Sequence, residues 1–318
     1  MVQGIGIIGT GDIASQFASQ IDKSKYKIVS VFNHRERSLK SFIESHNIEH
    51  GTTNLDEFLA LSEVEVVYIA TPNQTHYEYA LKALKAKKHV LCEKVMVMEG
   101  KEAQELFATA NENNVILLEG VTLFYMPMFD KVRKQLEANK LGHISGMNVL
   151  FGSCKDFDPS NRFFSKELGG GALFDIGTYA LSAAVYFLGT DLKVLASDVE
   201  LASTGVDEKS MTLLKNEKGQ QASVMISFRG KMPKQIVITG DKGFVIIDDF
   251  PRAEKAVYHM NDGSVEVIDL GVGKDVFTYE LDTLNQYINE IPARNDLRET
   301  TEHVILVMDE MRKLWKDN

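Results

Sequence analysis

Ile5-Gly6-Ile7-Ile8-Gly9-Thr10-Gly11-Asp12-Ile13-Ala14 decides the fold. A short apolar strand runs into two glycines one residue apart, with Ala14 in the third small position and a helical stripe of Ile13, Phe17 and Ile21 beyond. This is the dinucleotide fingerprint. Its first glycine permits a tight turn, its second lets the backbone approach a pyrophosphate, and its small third residue lets helix and strand pack closely. The amides at the helix start are then free to hold an anion. A bare glycine pattern says little, but one placed between a first strand and a first helix makes Gly9, Thr10, Gly11, Asp12 and Ile13 the expected cofactor contacts.

Working outward, the first 120 residues alternate apolar strands with helical stripes. Ile5 to Ile8, Lys27 to Phe32, Val64 to Ala70, His89 to Cys92 and Val115 to Leu118 read as strands. Tyr77, Ala80, Leu81 and Leu84 mark one intervening helix, and Ala103, Leu106, Phe107 and Ala110 another. Strand and helix in alternation predict a doubly wound parallel sheet covered by helices. After Pro127 the pattern changes to a helix from about Met128 to Asn139, then closely spaced β segments from Ser145 to Leu270. Asn216-Glu217-Lys218-Gly219 and Gly240-Asp241-Lys242-Gly243 read as hairpin connections, so a mostly antiparallel open sheet is expected. Two closing helices follow. The expected fold class is therefore α/β: a Rossmann domain over residues 1–122, and an α+β domain for substrate binding and oligomerisation over residues 123–318.

The chain has 318 residues, 44% of them hydrophobic and 25% charged, as in an ordinary soluble globular protein. A net charge of −10 argues against nucleic acid as a partner, because phosphate backbones are bound by basic surfaces. No apolar run approaches the roughly 20 residues that span a bilayer. Cys92 and Cys154 suggest neither a disulfide framework nor a metal site, and Met1 to Gly9 lacks the basic leading region of a secretory signal. A cytoplasmic protein without metal, acting on a small molecule, is the expectation.

The ribose end of the cofactor is read at the end of the second strand, Phe32-Asn33-His34-Arg35. A carboxylate there would accept hydrogen bonds from the free ribose hydroxyls of NAD. A neutral amide followed by imidazole and guanidinium suits a 2′-phosphate instead, since arginine pairs bidentately with phosphate oxygens. NADP is expected, with NAD as the alternative. Thr71-Pro72-Asn73 follows another strand at the sheet's carboxyl edge, where the nicotinamide half should lie, and His76 stands just beyond. Glu93-Lys94 ends a further strand at the same edge. A lysine there can lower the pKa of a neighbouring hydroxyl and hydrogen-bond a substrate oxygen, although spacing alone also fits a surface ion pair.

Farther along, Gly169-Gly170-Gly171-Ala172-Leu173-Phe174-Asp175-Ile176-Gly177-Thr178-Tyr179 places an acid and a phenol four residues apart. If a helix begins near Ala172, the two share a face.

The segments Ile69 to Asn73, His76, Ala80-Leu81, Ala83-Leu84 and His89 to Lys94, with the fingerprint before them and Gly169 to Tyr179 behind, resemble the glucose-fructose oxidoreductase, inositol dehydrogenase and MocA family. Asp158-Pro159-Ser160-Asn161-Arg162-Phe163-Phe164 and the glycine block most resemble its dihydrodiol dehydrogenase and NADP-dependent xylose dehydrogenase branch. The resemblance implies that Lys94 contacts the reacting oxygen, Tyr179 is the general acid or base, and Asp175 orients substrate. Arg162 would stand beside the substrate pocket and Glu119 ahead of the pocket helix. Glu93, Lys94 and His76 join the expected cofactor contacts, with a structural role for His76 equally open. Two positions depart from the family. Val95 stands where proline, often cis, follows the Glu-Lys pair, which puts the aim of Lys94 in question. Phe124 stands where the branch often has arginine, which suggests a more apolar substrate pocket.

These residues together describe a hydride transfer between nicotinamide and a sugar, polyol, diol or related carbonyl, with Tyr179 exchanging the proton and Lys94 assisting. Two other functions share the cofactor site: an enzyme of another class using tightly held NAD internally, as glycosidases of this architecture do, and a non-catalytic NADP sensor. The resemblance also implies a homodimer or homotetramer formed through the second domain's sheet.

Overall fold

The computed structural model describes residues 3–290 and 296–316. Six parallel strands form the first sheet: β1 (Gln3–Ile8), β2 (Tyr26–Phe32), β3 (Gly51–Thr52), β4 (Val66–Ile69), β5 (His89–Glu93) and β6 (Leu117–Gly120), in the order β3-β2-β1-β4-β5-β6. Helices α1 (Asp12–Gln20), α2 (Glu36–His46), α3 (Leu55–Ala60), α4 (His76–Lys85) and α5 (Gly100–Glu112) make the crossovers. Strand β4 is buried throughout, as expected for a strand covered on both faces. The order reverses direction between β1 and β4, and ligands bind outside the carboxyl ends of strands at such a switch point.

Eight strands form the second sheet: β7 (Ile144–Gly152), β8 (Lys193–Leu201), β9 (Asp207–Lys215), β10 (Gln221–Ser227), β11 (Lys234–Gly240), β12 (Gly243–Asp248), β13 (Lys255–Met260) and β14 (Val265–Asp269). Their order is β14-β13-β12-β11-β7-β10-β9-β8, antiparallel throughout except where β7 and β10 run parallel. The expected hairpins join β9 to β10 and β11 to β12. In β9 Ser210, Thr212 and Leu214 are buried while Met211 and Leu213 are exposed, the alternation of a sheet with one covered face. Helix α7 (Thr178–Leu188) packs on β7 and β10, and α6 (Pro127–Glu137) on β13. The short β3 and α3 have no apolar periodicity long enough to announce them, and the sequence reading passed over both.

The chain divides into two compact units, Met1–Gly120 with Lys274–Arg298, and Val121–Gly273 with Glu299–Asn318. A single cut between residues 122 and 123 therefore omits a return of the chain. Helix α8 (Val276–Asn289) belongs with the first sheet. Phe277 meets Phe17 edge-on with ring centroids 5.5 Å apart, the Asp22 N–H donates to Thr278 Oγ1 at 3.0 Å, and the Tyr26 hydroxyl donates to Asp282 at 2.6 Å. In the second unit the final helix α9 (Asp296–Lys316) sends the Trp315 indole N–H to Ser197 Oγ at 2.9 Å.

Candidate active site

The glycine loop is shaped by what a side chain would strike. Gly9 has φ +108°, and a Cβ there would lie 2.4 Å from the carbonyl oxygen of Ala70. Strand β4 can approach this turn only because the residue is glycine. A Cβ on Gly11 would meet no atom within 4 Å, so the space over it is open to a ligand. Gly11 caps α1 without a side-chain bond, which leaves the first amides of that helix available. Ala14 is fully buried against the sheet.

A cavity of about 310 Å³ opens at this point, at the carboxyl ends of β1, β2 and β4. Gly9, Thr10 and Gly11 form one side, and Phe32, Asn33, His34 and Arg35 another. Ala70, Thr71 and Pro72 close it together with Ser38 and Tyr79. Asn33 holds the corner: its amide nitrogen donates to Thr10 Oγ1, while its oxygen accepts the Arg35 N–H at 2.8 Å. Both polar ends of Asn33 are thus engaged in fixing the loop, which leaves His34 and Arg35 as the basic groups of the lining. No carboxylate occurs among the described lining residues. Tight turn, open approach and helix-end amides together fit a dinucleotide. Asp12, Ile13, Asn73, His76, Glu93 and Lys94 are not part of this lining. Ser38 and Tyr79 carry no motif signal in the sequence, because each lies inside a helix, α2 and α4, away from the strand-end loops.

His76 is fully buried, with one ring nitrogen 2.8 Å from the Val95 carbonyl oxygen and the other 2.8 Å from that of Thr71. Burial holds its pKa below the ordinary imidazole value against the pull of the two carbonyls. The ring is therefore neutral near pH 7, and its single N–H serves one of them. It joins the loop after β4 to the loop after β5. Glu93, also buried, accepts the Tyr68 hydroxyl at 2.5 Å and the Lys94 N–H at 3.3 Å, and Glu119 accepts the Met96 N–H at 2.8 Å. Three consecutive residues, Lys94, Val95 and Met96, are thus each bonded through the backbone to a buried side chain from a different element. Between buried Glu93 and buried Val95, Lys94 is partly exposed.

In the second unit Leu173–Gly177 form a π-helical turn that leads directly into α7. The expected helix start at Ala172 is thus a wider turn, a local form frequent at functional sites. Asp175 and Tyr179 are both partly exposed among buried neighbours. Lys155, a residue the sequence reading passed over, brings Nζ to 3.5 Å from Asp175 Oδ2. Its ammonium also stands 3.6 Å from the ring centroid of Phe163 and 5.0 Å from that of Phe228. Tyr179 lies against Phe151 with ring centroids 6.2 Å apart. Arg162 is exposed over the Phe163 ring, and Phe124 is buried and stacked on Tyr186.

Residues 3–121 match an oxidoreductase family with an NAD-binding Rossmann fold, and residues 129–246 match the GFO/IDH/MocA C-terminal domain. The chain belongs to the GFO/IDH/MocA oxidoreductase family. Scyllo-inositol 2-dehydrogenase (NADP(+)) of Bacillus subtilis is 29% identical over 318 residues, covering 96% of this chain and 95% of that protein. Trans-1,2-dihydrobenzene-1,2-diol dehydrogenase of Xenopus laevis is 30% identical over 249 residues, covering 77% and 75%. In fold the chain is like KijD10, a 3-ketoreductase from Actinomadura kijaniata solved with NADP and TDP-benzene, at a TM-score of 0.85, 23% identity and 98% coverage of both chains. In this GFO/IDH/MocA member valine follows the Glu-Lys pair, and the Lys94–Val95 peptide is nonetheless cis.

Proposed function

We propose that this GFO/IDH/MocA oxidoreductase is an NADP-dependent dehydrogenase or reductase acting on a sugar, polyol, diol or related carbonyl. The observation that carries the cofactor reading is the lining at the end of β2, where His34 and Arg35 face the cavity with no carboxylate among the described lining residues. A guanidinium there favours a 2′-phosphate over free ribose hydroxyls. The name of the Bacillus subtilis relative, which states NADP, supports the same choice.

The nicotinamide, when bound, supplies or accepts the hydride. Tyr179 gives the proton to the substrate oxygen in reduction and removes it in oxidation. Lys94 stabilises the charge that develops on that oxygen, with its N–H held by Glu93 and the carbonyl of the following Val95 held by His76. Asp175 accepts a hydrogen bond from a substrate hydroxyl, with Lys155 beside it. Phe151, against Tyr179, gives the pocket an apolar wall.

The open face of the second sheet presents Met211, Leu213 and Phe244 to solvent, and we assign it to self-association of the chain.

The test is an absorbance screen at the NADPH band against aldehydes, ketones, sugars and diols, run in both directions with NADP(H) and NAD(H). Turnover with a preference for NADP(H) supports the reading. Cofactor binding without turnover over the whole panel, or a clear preference for NAD(H), overturns it.

A further inference from the structure

The glycine block before Asp175 and Tyr179 has a counterpart at the start of β9. Asp207, the first residue of β9, has its carboxylate buried beneath the start of the π-helical turn. Oδ2 accepts the Leu173 N–H at 2.6 Å, and the Ala172 N–H bonds to the same carboxylate. Gly171 has φ +122°, and a Cβ there would fall 2.2 Å from Asp207 Oδ1. A Cβ on Gly170 would fall 2.7 Å from the carbonyl oxygens of Arg162 and Phe163. The two glycines therefore let the chain close over a buried acid on one side and over the Asp158–Phe164 loop on the other.

A carboxylate taken out of water is costly unless several donors answer it. Here the donors are the first amides of the helix that carries Asp175 and Tyr179, so the acid and the helix end satisfy each other. The charged group that acts on Asp207 from the neighbouring element is Arg312 of α9, itself paired with Asp309 and lying over the ring of Phe174. Phe174 directly precedes Asp175. The helix start is thus held from beneath by Asp207 and from the side by Arg312 through Phe174.

The geometry points to Asp207 as the positioning residue that sets the height and rotation of the Asp175–Tyr179 turn, and hence the aim of the Tyr179 hydroxyl. The inference rests on the reading of Tyr179 as the proton donor, but the placement of Tyr179 is measurable without turnover. A displacement of about 1 Å at a reacting group can lower a rate by about a hundredfold.

The experiment compares wild type, Asp207→Asn and Asp207→Leu, each carrying 3-fluorotyrosine, with the Tyr179 resonance assigned through Tyr179→Phe. Asp207→Leu is expected to shift or broaden that resonance and to lower kcat by about tenfold or more, with the NADPH dissociation constant within about twofold of wild type. Asp207→Asn keeps a carbonyl oxygen for the Leu173 N–H and is expected to restore both the resonance and kcat to within about threefold. A folded Asp207→Leu with an unchanged Tyr179 resonance overturns the inference. So does a loss of kcat that Asp207→Asn fails to repair. If Asp207→Leu does not fold, Asp207→Ser takes its place, and the same two readouts decide. If wild type turns over no carbonyl, the functional reading fails, while the Tyr179 resonance still decides the role of Asp207.

Discussion

Lys155 Nζ stands 3.5 Å from Asp175 Oδ2, with the two side chains only 18% and 16% exposed. An ion pair this far out of water is sensitive to the loss of one partner, because the other charge is left desolvated. Phe163 and Phe228 hold the ammonium from the other side, so its aliphatic stem and its charge have separate roles. Lys155→Met keeps the stem and removes the charge. It should lower stability by about 1–3 kcal/mol and, with Asp175 no longer anchored, raise the substrate KM by about tenfold. Lys155→Arg should recover most of both. Thermal melts and Michaelis constants for the three proteins check this, and an unchanged KM in Lys155→Met would separate the pair from substrate binding.

The two glycines of the fingerprint should fail in different ways. Gly9→Ala puts a Cβ against the Ala70 carbonyl at a positive φ, so it should cost about 1–3 kcal/mol of stability. Gly11→Ala meets no protein atom and has an ordinary φ of −82°, so its melting temperature should match wild type. Its methyl occupies the approach of the anion, however, and the NADPH dissociation constant should rise by about tenfold or more. Calorimetric melts with NADPH titrations distinguish the two.

Arg35→Ala should act on one cofactor only. A charged hydrogen bond contributes about 1.5–3 kcal/mol, so kcat/KM for NADPH should fall by about ten- to a hundredfold while that for NADH stays within about twofold. Equal losses with both cofactors would mean that Arg35 serves the fold of the loop and not the 2′-phosphate.

The fingerprint was legible because its requirements are steric and local: Gly9 fits a turn pressed on Ala70, and the residues around it show a strand and a helix. The connections Asn216 to Gly219 and Gly240 to Gly243 were legible for a similar reason, since a tight reversal is marked by its own residues. Lys155, Asp207 and the packing of α8 with the first sheet were not. Each matters through a contact distant in sequence, Asp207 with Leu173, Lys155 with Asp175 and Phe277 with Phe17, and no local pattern records which residue will lie opposite. His76 and Glu93 stood out as motif residues, but spacing could not tell a group facing a ligand from one buried behind the loop that faces it. Their contacts with Val95, Thr71, Tyr68 and Lys94 tie them to the backbone and buried side chains around these two loops.

Glu119 tests whether that buried support matters. Glu119→Gln retains an oxygen for the Met96 N–H, whereas Glu119→Leu leaves this buried amide unanswered at a cost of about 1–3 kcal/mol. If the backbone at residues 94–96 aims Lys94, kcat should fall in Glu119→Leu by about tenfold beyond any change in KM and remain near wild type in Glu119→Gln. A loss of melting temperature with kcat preserved would limit Glu119 to the fold.

Asp207 should also leave a mark on the pH dependence of stability. Burial pushes its carboxyl up to about 6, against an ordinary value near 4. The folded state then holds a proton that the unfolded chain has released between about pH 4 and pH 6, so this group favours folding more as pH falls through 6. A shift of about 2 pKa units corresponds to about 3 kcal/mol. His76 acts oppositely: its lowered pKa means that the unfolded chain takes up a proton first, and stability falls as pH drops below about 6.5. His76 is present in both wild type and Asp207→Asn, so its effect cancels when the two are compared. The stability of wild type minus that of Asp207→Asn should therefore rise by up to about 3 kcal/mol as pH is lowered from 7 to 4, measured by urea unfolding at each pH. A difference that stays flat over this interval would show that the folded carboxyl titrates near its ordinary value, its burial offset by the Leu173 and Ala172 amides.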